Sequence, residues 1–223
     1  MKRAKDAALR PVKAGDYGLP VPGRDGFNFI EAGHMYALRG RRIPSTSGIL
    51  NLFSPMDAIA DTVAGEAGRR RGQRVHSITE KWDRGKRISR SDLGSDGGGY
   101  LAAYIQFVRA KGLGGEAAII EAPIYFKAPD RTGLEYGATL DRILPDLGIA
   151  FDIKTGGSYP KRYDLQFQAY LQAVASWGLG IRKLIEVQLR PDGNYKIVKE
   201  HRPVRAMQNI FRSGITVWKY RIS

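Results

Sequence analysis

Residues 149–154 read Ile-Ala-Phe-Asp-Ile-Lys, and this segment constrains the fold more than any other. Side chains alternate faces along a strand, so Ile149, Phe151 and Ile153 share an apolar face while Asp152 and Lys154 share the opposite one. The apolar face needs a layer of structure packed against it. A carboxylate and an ammonium two apart on the other face are unusual, because buried strands avoid charge. Two arrangements satisfy both demands. One is an edge strand whose Asp152 and Lys154 pair weakly in solvent. The other is a central strand whose charged face is a working surface: Asp152 can ligate a hard cation, and Lys154 can position a water and stabilise charge growing on a phosphoryl group.

The neighbouring segments complete an α/β pattern. Residues 118–126 and 136–144 read as strands, and Pro145-Asp146-Leu147-Gly148 is the turn into the 149–154 strand. A helix follows over 163–177, then strands over 181–189 and 195–198 around Pro191-Asp192-Gly193-Asn194, then a helix over 204–217. Upstream, Phe27 to Leu38 alternates irregularly, as in a hairpin turning at Gly33 or at Arg39-Gly40. Ile43 to Ser47 leads into a helix that a Ser or Thr can cap. Residues 56–83 have helical spacing through Ile59, Val63, Ala67, Val75, Ile78 and Trp82, with Gly72 marking a kink or a close approach. Gly94–Gly99 reads as a flexible loop before a helix over 101–108. The expected fold is therefore α/β, a mixed β-sheet flanked by helices. Residues 1–26 form a flexible basic arm and 27–223 one domain. Within it, 27–115 is a mainly helical N-terminal lobe and 116–223 holds the sheet and its helices.

Composition narrows the chemistry. The 223 residues contain 36 Lys+Arg against 22 Asp+Glu, a formal charge of +14, and no cysteine. Disulfides, thiolate zinc sites, iron–sulfur clusters and a cysteine nucleophile are thereby excluded. No apolar run approaches the ~20 residues of a membrane span, and the first residues lack a secretory signal's apolar stretch. The charge is clustered: Arg69–Arg90 carries nine Lys/Arg against Glu80 and Asp83. Such a field finds phosphate, nucleic acid before anionic membrane, although a solubility charge or a ribosome-associated structural role is the blander reading. No Gly-rich nucleotide loop is present, so the chain has no motor of its own.

Other residues bear on the charged face. Asp141, just before the turn, comes beside Asp152 if the two strands pair antiparallel, and carboxylates that close repel unless a cation lies between them. A turn-side cap is the other use for Asp141. Gln166 and Tyr170 are four apart and share a helix face. His76, flanked by the apolar positions Val75 and Ile78, reads on its own as a structural histidine.

Together these pieces form a pattern. Gly72-x-x-x-His76, Gly137-x-x-x-Asp141, Asp152-x-Lys154 and Gln166-x-x-x-Tyr170, in that order behind Ile43-Pro44-Ser45-Thr46-Ser47-Gly48-Ile49-Leu50, resemble the RecB-like branch of the PD-(D/E)XK nuclease superfamily. That branch includes phage exonucleases and a mitochondrial genome maintenance exonuclease, and the resemblance spans 36–177. It implies a restriction-endonuclease-like fold. It implies that Asp141 and Asp152, with His76 and the carbonyl of Ile153, hold Mg2+ or Mn2+. Lys154 would align the attacking water, Gln166 and Tyr170 would orient Lys154 and the scissile phosphate, and Glu121 would support the ligands from behind. Ser45 and Thr46 would contact backbone phosphate, and Arg71 and Arg74 belong to the DNA-holding field. Asp-Ile-Lys replaces the commoner Asp-Trp-Lys or Glu-x-Lys, and Thr46 the commoner Val. The lack of cysteine excludes the iron–sulfur subgroup.

The implied activity is that of a metal-dependent DNA exonuclease with little sequence preference. It would act on single-stranded DNA or DNA ends in replication, recombination or repair, with a protein of those processes as partner, no membrane, and a bacterial or phage-infected cytoplasm rather than a mitochondrion. A structure-specific endonuclease and a catalytically silent nucleic-acid-binding module are the alternatives.

Overall fold

The structure, a computed structural model, describes residues 13–14, 26–30, 35–53, 63–156 and 161–222. A two-residue strand, β1 (Lys13–Ala14), is followed by three short strands, β2 (Phe27–Ile30), β3 (Met35–Leu38) and β4 (Arg41–Ile43). Helices α1 (Thr46–Phe53), α2 (Val63–Asp83), α3 (Arg90–Leu93) and α4 (Gly97–Ala110) come next. Then follow β5 (Ala117–Lys127), β6 (Glu135–Leu144), β7 (Ile149–Lys154), α5 (Arg162–Ser176), β8 (Lys183–Leu189), β9 (Tyr195–His201) and α6 (Arg205–Ile222).

The main sheet has the order β1-β5-β6-β7-β8-β9. Strands β5, β6 and β7 meander antiparallel, β8 returns parallel to β7 across α5, and β9 closes antiparallel. This mixed sheet with helices on both faces fits the restriction-endonuclease-like arrangement. On one face, Val75 of α2 and Tyr100, Tyr104 and Phe107 of α4 pack on Phe151, Ile153, Ile185 and Val187. On the other, Ile49 of α1, Phe167 and Leu171 of α5 and Phe211 and Ile215 of α6 pack on Ile124, Tyr136, Leu140 and Leu184. Strand β7 is therefore central, and Asp152 is buried rather than on a solvated edge.

Strands β2–β4 make a separate antiparallel sheet; the turn expected at Arg39-Gly40 joins β3 to β4, and Gly33 lies outside the described residues. Both turn residues at 39 and 40 have positive φ, 49° and 77°, the twist of a two-residue primed turn. Phe27, Tyr36 and Ile43 form its small core. Residues 44–46 tie it to the main sheet, where the Gly137 N–H donates to Pro44 O at 2.9 Å. A Cβ at Gly137 would lie 2.2 Å from the Tyr36 ring, so only glycine fits there.

Three expectations are corrected. Part of the supposed flexible arm is β1, paired parallel with Ala117 and Ala118. Gly94–Gly99 is not a flexible loop: residues 94–96 form a turn and α4 begins at Gly97. Gly99 lies so near the Pro191 carbonyl that a Cβ would approach it to 1.7 Å. Gly72 marks neither a break nor a close approach: α2 runs unbroken for 21 residues, and a Cβ at Gly72 would lie 3.8 Å from Thr155 Oγ1. His34, Ile59 and Tyr159 lie outside the described residues. Among the described residues no helix is long and apolar enough to cross a membrane.

Candidate metal centre and active site

The site lies where the sheet is dislocated. In β6, Tyr136, Ala138 and Leu140 face α5 and α6, yet Ile143, three residues after Leu140, shares that face, and Arg142 points to α2 and α4. In β5 the same exchange occurs: Ile124 and Phe126 share a face with Ile119, not Ile120. Both strands turn over at one rung, Glu121 opposite Asp141, while pairing keeps the same register on either side. Glu121 takes φ 49°, a left-handed conformation that is costly for a residue with a Cβ. The β6–β7 ladder stops at the Arg142–Phe151 pair, and beyond it Asp141 Oδ2 accepts the Ile153 N–H at 2.5 Å. The carboxylate thus stands in for a ladder carbonyl and is fixed beside Asp152.

His76 of α2 faces this rung. Its Nδ1 lies 3.3 Å from both Glu121 Oε1 and Asp141 Oδ1. Ligand atoms of His76, Glu121 and Asp141 all fall within 4.8 Å of one another. Burial disfavours charge on His76, but the Asp141 and Glu121 carboxylates outweigh it and hold its pKa well above the usual histidine value. Burial likewise works against Asp141, yet His76 and Lys154 keep its pKa below the ordinary carboxylate value. One imidazole and two carboxylates converging on one point are a donor set that fits a hard divalent cation such as Mg2+ or Mn2+. Glu121, expected behind the ligands, contributes one of the three converging groups. Asp152 lies outside this trio.

Asp152 instead holds Lys154, whose Nζ is 2.6 Å from Asp152 Oδ2. Burial pushes Asp152 up to about 7; Lys154 opposes the shift and repulsion from Asp141 adds to it. Burial also disfavours the Lys154 ammonium, but Asp152 and Asp141 raise its pKa, so it stays charged. The ammonium sits over the Tyr163 ring at 4.9 Å and the Phe167 ring at 5.5 Å. Gln166 Nε2 donates to Tyr170 Oη at 2.8 Å, and Gln166 Oε1 is buried without a hydrogen-bond partner among the described residues. Tyr170 is within electrostatic reach of Asp152 and Asp141, so the helix face read from the Gln166–Tyr170 spacing borders the site.

Behind the trio is a network that sequence reasoning missed. Arg142 is fully buried, with Nε 2.5 Å from Asp83 Oδ2 and Nη1 3.1 Å from Glu121 Oε1. It also donates to Asp141 O at 2.6 Å and Thr79 Oγ1 at 3.3 Å. Tyr104 Oη donates to the same Asp83 oxygen at 2.7 Å, and the guanidinium carbon is 6.0 Å from the Tyr104 ring centre. This bolts α2 and α4 to the dislocated rung.

The expected DNA contacts divide. Thr46 is corrected: it is buried, and its hydroxyl donates to Gly137 O at 3.2 Å, so it cannot reach a phosphate. Ser45 caps α1, accepting the Gly48 N–H at 3.0 Å. Arg74 is bound to Asp96 at 3.0 Å. Arg71 is half-buried near Tyr100.

No protein-family model matches the chain, and no curated protein sequence matches it. Among solved structures, the crystal structure of LHK-Exo in complex with dAMP aligns with a TM-score of 0.44 and 14% identity, covering 80% of this chain and 87% of that one. The crystal structure of SSO0001 aligns with a TM-score of 0.38 and 16% identity, covering 78% and 74% respectively.

Proposed function

We propose that the chain is a divalent-metal-dependent deoxyribonuclease of PD-(D/E)XK type, acting as an exonuclease on single-stranded DNA or DNA ends. The observation that carries this is one site holding two features: the convergent His76, Glu121 and Asp141, and the buried Lys154–Asp152 pair on the adjoining strand. His76, Glu121 and Asp141 would hold Mg2+ or Mn2+, with Asp152 and the Ile153 carbonyl as further ligands. Such a cation, when bound, neutralises phosphodiester charge and lowers the pKa of water.

The chain's own groups account for the rest. Lys154 is charged and held between Asp152 and two aromatic rings, so it can donate to an oxygen on which charge develops. Tyr170, braced by Gln166, can orient the phosphate, and the buried Gln166 Oε1 keeps an unused acceptor position. The +14 charge favours contact with phosphates over bases, which fits low sequence preference.

The test uses end-labelled single- and double-stranded linear DNA and closed circular DNA, each with Mg2+ or with chelator. Loss of label from linear DNA only, and only with Mg2+, supports the exonuclease. Cutting of circles makes it an endonuclease. No degradation of any substrate overturns the enzyme reading and leaves a nucleic-acid-binding module.

A further inference from the structure

Away from the trio, the tip of the β3–β4 hairpin carries a second concave, positively charged feature. A cavity of about 390 Å3 opens between Leu38, Arg39 and Arg41 of the hairpin and Tyr125 and Lys127 of β5. Glu135 holds two of the lining residues: Oε1 accepts from Arg41 Nη2 at 2.5 Å and Oε2 from Tyr125 Oη at 2.7 Å. These contacts fix the Tyr125 ring and anchor Arg41. Arg39 and Lys127 are exposed and in no ion pair among the described residues. Arg39 moreover occupies a positive-φ turn position usually given to Asn, Asp or Gly.

We propose that this cavity is a strand-holding subsite: it takes a phosphate and the adjoining base of the same nucleic-acid strand whose reacting phosphodiester lies at the trio. This rests on the nuclease reading above. Two unpaired cations suit phosphate, and a fixed aromatic face suits an unpaired base of any identity. Strand β5 runs from the trio to the cavity, four residues from Glu121 to Tyr125 and six to Lys127. At about 3.4 Å per residue that is roughly 14–20 Å. Successive phosphates of one strand lie farther apart than the ~3.4 Å that each occupies along a duplex axis, so at most about four to six nucleotides cover the span. The hairpin bridges the interval: Tyr36 meets Thr139 Oγ1 at 2.7 Å, and Arg39 follows three residues later. Substrates too short to span it lose the second attachment.

The test compares the wild type with Arg39→Ala/Lys127→Ala and the charge-reversed Arg39→Glu/Lys127→Glu. Fluorescence anisotropy in chelator would follow binding of an oligonucleotide of about 20 nucleotides and of a dinucleotide, which is too short to span the interval. For the long one the expected result is an affinity loss of about tenfold, larger on charge reversal, with a salt slope smaller by about one per residue removed. Affinity for the short one stays as in wild type, as does its cleavage rate with Mg2+. Unchanged long-oligonucleotide affinity and slope, or an equal loss on both lengths, would overturn the subsite while leaving the nuclease reading intact. A length-dependent loss without cleavage of any substrate would sink the nuclease reading and keep the subsite. Displacement of the long oligonucleotide by inorganic phosphate at matched ionic strength would overturn the strand assignment in favour of a free-anion site.

Discussion

Replacing Arg142 by Met tests whether the buried network, rather than general packing, holds the site together. The guanidinium has no solvent exposure, and its partner Asp83 has none at the side chain. Removing it takes away the counter-charge that lies 2.5 Å from Asp83 Oδ2 and leaves the Tyr104 hydroxyl at 2.7 Å. Breaking a buried pair by deleting one partner costs about 3–5 kcal/mol. For a chain of this length each kcal/mol moves Tm by about 2–4 °C, so the fall should be about 6–20 °C. Removing the stranded charge as well, in Asp83→Leu/Arg142→Met, should recover more than half of the loss, because apolar pairs of similar volume replace buried ion pairs at little cost. The assay is urea unfolding of both single variants and the double, closed as a cycle. A single-variant cost under about 1 kcal/mol, or strictly additive losses, would refute the reasoning. A second readout separates stability from positioning. Arg142 also holds Glu121 at 3.1 Å, so the refolded double variant should still bind Mn2+ more weakly, by about tenfold as when other ligand-supporting groups are lost.

Other perturbations bear on the same picture. Lys154→Ala should lower the cleavage rate at least ~100-fold while leaving DNA affinity in chelator unchanged, and cleavage at the wild-type rate would remove Lys154 from the chemistry. Glu121→Ala should weaken Mn2+ binding, read by calorimetry, by about tenfold or more; an unchanged isotherm would return Glu121 to a supporting role. Mg2+ at ~100 times its Kd should stabilise the wild type by about 2.7 kcal/mol, and His76→Ala should abolish that shift in the melting curve. Gly137→Ala drives a methyl into the Tyr36 ring and should cost about 1–3 kcal/mol in urea; an unmoved midpoint would show that the hairpin docks otherwise.

Much of this was legible before the structure. Alternation in 149–154 identified the strand, and the four-residue turn from Leu144 predicted antiparallel neighbours, which is why Asp141 was expected beside Asp152. Ladder and side-chain geometry agree with that expectation. Glu121 and Arg142 were not legible. Counting alternate faces from Tyr136 assigns Arg142 to the α5 side, and only the turn-over at Glu121 moves it to α2. A positive φ on glutamate leaves no compositional trace. Arg142, the one buried arginine among the described residues, is distinguished by Asp83, which stands 59 positions earlier. Thr46 misled for a similar reason: its hydroxyl is engaged by a carbonyl 91 residues away.

The paired turn-over of β5 and β6 also dictates where this chain tolerates change in length. Both strands exchange faces at the same rung without slipping, so their offsets cancel. Inserting or deleting one residue in either strand alone would leave the other's exchange uncompensated, turning a half-strand of core residues toward the wrong layer. The connection at 128–134 lies beyond that rung and is mostly exposed, so it can be lengthened freely. A scan of single-residue insertions should therefore reveal a sharp border at each end of the β5–β6 pair, with tolerance in the loop and collapse of expression inside the strands.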